Sequence, residues 1–208
     1  RCDIIDMICT AAAGHPGGSL SATDIVTALY FRLMRLDPHN PRWPDRDRFV
    51  LSAGHGSMLL YSLLHLSGYD LGIDELKAFR QLGQRTAGHP EYEPELGIET
   101  TTGSLGKGLS VGIGHVLGGR LNGLAYRGYV LLGDGECQEG QVWEAAMSAA
   151  HFKADNLVAI VDYNGVRTTA RLDTLAEPLA PGDYVLIHTG FAIRRLSAAD
   201  GEETLRLF

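Results

Sequence analysis

The apolar run Tyr129-Val130-Leu131-Leu132 leads directly into Gly133-Asp134-Gly135-Glu136. A second apolar run, Leu157-Val158-Ala159-Ile160-Val161, is followed by Asn164, thirty positions after Asp134. Such short runs bounded by turn residues read as buried strands, and the segment between them, Gln138 to Lys153, reads as a helix. The three make a strand–helix–strand unit of the usual length, roughly 30 residues or more. A right-handed crossover sets the strands parallel in one sheet, with their carboxyl ends at one edge. Asp134 and Asn164 are therefore expected at the edge where open α/β sheets take ligands.

The chemistry that suits this pair is a hard cation carrying a diphosphate. Mg²⁺ prefers oxygen ligands in near-octahedral array and keeps phosphate oxygens among them. The Asp134 carboxylate, the Asn164 amide oxygen and a nearby backbone carbonyl supply three, leaving room for two diphosphate oxygens and a water. Gly133 and Gly135 let the backbone approach phosphates with no Cβ in the way. Gly-Asp-Gly alone reads first as an ordinary strand-to-helix turn. The second strand ending in Asn-Gly at this distance tips the reading toward a diphosphate site.

Composition narrows the classes. A hydrophobic share of 45% and a charged share of 21% suit a globular chain, and 208 residues can bury a core. The net charge of −7 argues against a general nucleic-acid or anionic-membrane surface. No apolar run approaches the roughly 18 residues of a membrane span, and no basic-then-apolar signal segment is present. Arg1 already lies within a helical pattern, so an earlier start is expected. Cys2, Cys9 and Cys137 are odd in number and lack Cys-x-x-Cys spacing, which speaks against a disulfide framework or zinc site and for a reduced cytoplasm.

Elsewhere, Cys2 to Ala13 carries a helical apolar stripe, ended by Gly14-His15-Pro16-Gly17-Gly18. Ser19 or Ser21 is expected to cap the next helix. Phe49-Val50-Leu51 reads as a strand, followed by Ser52-Ala53-Gly54-His55-Gly56 and a helix through Leu66. His55 thus stands at a strand's carboxyl end and a helix's amino end, suited to an anion, whereas His65 falls inside the helix. Asp74 to Leu82 reads as a surface helix capped by Asp74. Gly88-His89-Pro90 repeats the first Gly-His-Pro loop. Gly103, Gly106, Gly108, Gly112 and Gly114 weaken the helical pattern of Thr100 to Gly119. Close approach to a cofactor supplies a reason for them, with a tight helix–helix contact as the lesser alternative. Lys107 and His115 read as ordinary polar helix residues, and Trp143 and Glu144 as packing and capping the helix after Gly-Asp-Gly.

The stretch GDGECQEGQVWEAAMSAAHFKADNLVAIVDYNG resembles the thiamine-diphosphate motif of transketolases. GHPGGSLSATDIVTALYF, DRDRFVLSAGHGSMLLYSLLHLSGYD and TTGSLGKGLSVGIG agree with it in order and spacing, so the resemblance runs from Arg1 to about Gly165. It implies an α/β domain, a parallel sheet flanked by helices, holding thiamine diphosphate and Mg²⁺. It assigns His15 and His89 to the substrate side, His55 to the diphosphate, and Gly103-Ser104-Leu105 to the aminopyrimidine and thiazole. Many transketolases have Pro where Ser104 stands. Glu139 is implied near the cofactor and a subunit interface. The implied reaction moves a two-carbon ketol unit between sugar phosphates, with histidines able to exchange protons. The Glu that activates the aminopyrimidine comes in transketolases from a second domain across a dimer interface. The chain alone is thus expected to lack turnover, and to need a homodimer or a separate carboxyl-terminal subunit. GHPGGSLSATD and SAGHGSMLLYSLLHL favour transketolase over deoxyxylulose-phosphate synthase or a dehydrogenase first component.

Residues 166–208 resemble instead the carboxyl-terminal part of HypC-type hydrogenase maturation chaperones, through PGDYVLIH and GFAI. Val166–Leu172 and Tyr184–Leu196 read as strands of a small β unit, with Pro178 and Pro181-Gly182-Asp183 as the turn, and Ser197 as cap of a short helix. The domains expected are thus 1–165 and an incomplete 166–208, a chimera with its seam at the metal loop. Val166, whose carbonyl is the implied third metal ligand, lies at that seam. A hydrogenase-maturation adapter and a non-functional chimera are the alternatives, and the missing Met-Cys-Leu-type segment argues against a hydrogenase partner.

Overall fold

The computed structural model describes residues 1–163, 184–188 and 191–199. Asn164, Val166, the segment Val166–Leu172 and the turn at Pro178–Asp183 lie outside the described residues. The chain divides into two units, Arg1–Asn164 and Gly165–Phe208.

The first unit is α/β, as expected. Strands β1 (Arg48–Leu51), β2 (Gly128–Gly133) and β3 (Leu157–Asp162) form a parallel sheet in that order. Leu51 pairs with Leu131, and Gly133 with Asp162. Strand alternation sorts the side chains between two cores. Phe49, Leu51, Tyr129 and Leu131 meet Ile4 and Met7 of α1 (Cys2–Ala11) and Met58, Tyr61 and Leu64 of α4 (Ser57–Ser67). Val50, Val130 and Leu132 meet Leu109 and Ile113 of α6 (Gly108–Leu121) and Val142 and Ala145 of α7 (Gly140–His151). Both faces of β1 and β2 are covered, as a parallel sheet requires. In β3, Val158 and Val161 stay 37% and 43% exposed.

Several boundaries differ from the sequence reading. After His15 the helix starts at once: α2 (Pro16–Ser21) has Pro at its first turn, suited to proline's fixed φ. Ser19 therefore caps nothing; it is inside the helix, and its Oγ donates to the His15 carbonyl at 2.9 Å. Next come α3 (Thr23–Ala28) and one π-helical turn, Leu29–Leu33. Helix α5 is only Ile73–Lys77. Its cap is Gly72, not Asp74, and the Gly72 N–H donates to Glu75 Oε2 at 3.0 Å. The chain then turns at Arg80, whose φ of 65° ends helical propagation. Helix α6 begins only at Gly108, so Gly103 to Lys107 is loop and Leu105 is 37% exposed. Trp143 does not pack inward: it is 62% exposed, and its indole N–H donates to the Cys137 carbonyl at 2.9 Å.

Behind the sheet's amino edge, a buried ion cluster ties the loop before β1 to the sheet. Glu99 contacts the guanidinium of Arg46 and, at 3.5 Å, that of Arg48; the three side chains are 8%, 6% and 13% exposed. Arg48 also lies 4.5 Å over the Tyr126 ring.

In the second unit, β4 (Tyr184–His188) and β5 (Phe191–Leu196) form an antiparallel hairpin. The sequence reading had Tyr184–Leu196 as one strand; the chain instead reverses between His188 and Phe191. Residues 198–199 are helical. Among the described residues no helix is long and apolar enough to cross a membrane.

Candidate active site

The site is assembled from loops that leave the carboxyl edge of the sheet or lie against it. The first follows β1. The N–H groups of Ser52 and Ala53 donate to the Leu131 carbonyl at 2.9 and 3.4 Å, which continues the sheet past the last paired residue. Backbone geometry then tightens to the 3₁₀ turn Gly54–Gly56, placing His55 two residues before α4.

His55 meets His15 from the loop before α2, with ring centroids 5.4 Å apart, edge to face. His15 lies 6.4 Å from His89. Three imidazoles widely separated in sequence thus form one cluster. Burial holds the pKa of His55 below its ordinary value, and neighbouring His15 pushes it the same way; Glu136 opposes the shift. Burial also lowers that of His89, seconded by His15 and the Arg80 guanidinium. An open cleft of about 780 Å³ adjoins His89, lined also by Arg80, Arg85, Glu91, Tyr92 and Thr101.

The second loop, Thr102 to Lys107, crosses the cluster. Gly103 has φ +141° and faces the His89 ring, where a Cβ would come within 2.9 Å of Cδ2. Gly106 has φ +82°, and a Cβ there would lie 2.8 Å from Cβ of Glu139. Ser104 and Leu105 are exposed between these two close approaches. Close contact of this loop with His89 and Glu139 thus accounts for two of the glycines. Gly112 answers to helix–sheet packing, where a Cβ would strike Val130.

The third loop is Gly133-Asp134-Gly135. Asp134 Oδ1 accepts from the Gly135 N–H at 2.8 Å and so begins the 3₁₀ turn Gly135–Gln138. Among the described residues, a Cβ on Gly135 would meet nothing within 4 Å, and one on Gly133 only Ala53, at 3.9 Å. Glu139 follows as the residue before α7. Among the described residues no three His, Cys, Asp or Glu side chains group around a metal position. Of the implied metal ligands only Asp134 is described.

Two features escaped the sequence reading. Glu136 is 2% exposed, its carboxylate inside the site. Ser21 Oγ donates to Asp162 Oδ1 at 2.9 Å, tying the first histidine's helix to the end of β3. A charged residue just after Gly-Asp-Gly reads as exposed, and only the fold reveals what closes over it.

Comparison with known proteins extends this geometry. A family model described as "Transketolase, thiamine diphosphate binding domain" matches residues 1–177. That match continues past Gly165. A transketolase of Sinorhizobium medicae is 48% identical over 177 residues, covering 81% of this chain and 26% of the relative. A 6-deoxy-6-sulfo-D-fructose transketolase subunit of a Clostridium species is 45% identical, covering 81% of this chain and 60% of that subunit. The structure of a Pichia stipitis transketolase in complex with sedoheptulose-7-phosphate superposes with a TM-score of 0.73 at 40% identity, over 82% of this chain and 26% of that one. The chain thus spans about a quarter of the full-length relatives and 60% of the subunit. It belongs to the transketolase family, in the part that forms the thiamine diphosphate binding domain.

Proposed function

We propose that this chain is the thiamine-diphosphate- and Mg²⁺-binding part of a transketolase, which moves a two-carbon ketol unit between sugar phosphates once a pyrimidine-binding domain or subunit joins it. The observation that carries the reading is the convergence of His15, His55 and His89, with Ala53, two residues before His55, facing Gly133 of the Gly133-Asp134-Gly135 turn. The glycines on either side of Asp134, with no described side chain crowding Gly135, suit a diphosphate. An oxygen-donor set of Asp134, Asn164 and the Val166 carbonyl suits Mg²⁺ rather than a softer metal. Thiamine diphosphate, when bound, supplies the carbanion-stabilising chemistry.

The chain's own residues have distinct tasks. His55, half-buried and with its pKa held below the ordinary 6.5 by burial, would donate a hydrogen bond to a diphosphate oxygen. His15 and His89 face the sugar and exchange protons with its hydroxyls. Gly103, Ser104 and Leu105 would hold the cofactor's rings, and Glu139 would meet a partner chain near them. Sugar phosphates as substrates are supported by the sedoheptulose-7-phosphate bound to the Pichia stipitis enzyme. A separately encoded partner is supported by the Clostridium relative, itself named as a subunit.

The test is calorimetric titration with thiamine diphosphate, with and without Mg²⁺. Mg²⁺-dependent binding is expected. No binding at millimolar cofactor, even after a carboxyl-terminal transketolase subunit is added, would overturn the reading.

A further inference from the structure

Three loops build the candidate site, and all three end on one buried carboxylate. Glu136 Oε1 accepts from the hydroxyl of Ser52 and from the Gly106 N–H, the latter at 2.8 Å. Its Oε2 accepts from the Gly133 N–H at 3.2 Å. Ser52 begins the turn to His55, Gly106 closes the Gly103-Ser104-Leu105 segment, and Gly133 opens the turn that carries Asp134. Ser52 and Gly106 are 84 and 30 positions from Glu136 along the chain, so neither contact is a local turn.

An ionised carboxylate offers about four acceptor positions and no donor. It therefore receives a hydroxyl and two amides at once, through charge-assisted bonds about twice as strong as neutral ones. Glutamine of the same shape has one acceptor oxygen, and its NH₂ would confront the Gly106 or the Gly133 N–H. Leaving either buried amide unpaired is costly. An acid is thus specifically required at a position that reads as a solvated first-turn residue.

We infer that Glu136 is a positioning residue: it locks the three loops into a preformed cradle before any cofactor arrives. Its effect on affinity rests on the thiamine-diphosphate reading; the lock itself does not. A site held in its productive geometry loses less conformational freedom on binding, and affinity rises accordingly. A plain structural role predicts something else, a uniform loss of stability with the loops unchanged.

The experiment uses the ¹⁵N-labelled full chain without cofactor, comparing wild type with Glu136→Gln and Ser52→Ala. In Glu136→Gln the Gly106 and Gly133 amide protons should move upfield and exchange at least tenfold faster. Backbone order parameters of Gly103 to Leu105 should fall toward the flexible range, below about 0.6. Exchange at Val130 and Leu131, in the middle of β2, should stay within about threefold. Ser52→Ala should give a smaller change of the same pattern, and it covers the case in which Glu136→Gln does not fold. Calorimetry with thiamine diphosphate and Mg²⁺ should show at least tenfold weaker binding in Glu136→Gln. Unchanged order parameters at Gly103 to Leu105, or exchange rising equally throughout β2, would overturn the lock. Wild type that fails to bind the cofactor counts against the functional reading, and the lock is then decided by the exchange and relaxation data.

Discussion

His15 and His55 meet edge to face with ring centroids 5.4 Å apart, so a proton on His15 raises the cost of one on His55. Burial adds to that cost for His55, whose pKa lies below its ordinary 6.5. In the unfolded chain the imidazole regains that value and takes up a proton first as pH falls. Its contribution to stability is therefore complete above about pH 6.5 and lost as pH drops from there through the folded pKa. His15→Ala should raise the pKa of His55, read from the imidazole Cε1 proton by NMR titration. An unmoved titration would show that the two rings do not interact.

Asp134 is the one implied metal ligand that the described residues contain. Asp134→Ala should abolish the difference between thiamine diphosphate binding with and without Mg²⁺, weakening the Mg²⁺ arm more than tenfold. Asp134→Asn keeps an acceptor for the Gly135 N–H but removes the charge, and should fail almost as badly. If Asn binds as tightly as wild type, the cation is not held here.

Gly106→Ala tests the close approach of the second loop. Left-handed backbone costs an L-residue about 1–2 kcal/mol. The new Cβ would also press on Glu139, 2.8 Å away. Chemical denaturation should show a loss of at least that size, and Gly123→Ala makes the comparison fair, since φ there is +70° with nothing within 4 Å. Equal losses in the two would mean that backbone strain alone matters.

The Arg46–Glu99–Arg48 cluster sits far from the site in function but not in importance for the fold. Removing one partner of a buried ion pair leaves an uncompensated charge and costs about 3–5 kcal/mol. Glu99→Ala should lose that much by urea denaturation, with cofactor affinity unchanged in the fraction that stays folded.

Turnover is the last measurement. The purified chain should show no ketol transfer between sugar phosphates, and a carboxyl-terminal transketolase subunit should restore it. Transfer by the chain alone would mean that its own residues activate the cofactor.

Much of this was legible because strand and turn signals are local. Apolar runs of four or five residues ending at Gly133 and Asp162 marked two of the three parallel strands, and Phe49-Val50-Leu51 marked the other. The Gly-His-Pro loops marked two of three clustered histidines, although only the fold brings His89 within 6.4 Å of His15. What stayed hidden depends on contacts distant in sequence. Glu136 looks like an exposed acid until Ser52 and Gly106 close over it. Helix α5 looked longer because Phe79 and Leu82 continue the apolar pattern, but Arg80 takes left-handed backbone, and Leu82 is left in solvent. The hairpin of β4 and β5 was merged into one strand because apolar residues continue from Tyr184–His188 into Phe191–Leu196 with little between them in sequence.

The bond from Ser21 to Asp162 spans 141 residues, and that separation has a temporal meaning. A ribosome adds roughly 5–20 residues each second. The first histidine's helix therefore waits on the order of ten seconds before its partner on β3 is even made. Parallel pairing of β1 with β2 likewise requires closing a long loop before any contact rewards it, which makes such topologies slow. Helices α1 to α4 can gather early around their own apolar faces, whereas the edge carrying Asp134 and Asp162 completes last. During synthesis, then, the helices before β1 are in hand long before the strands that complete both the cores and the site.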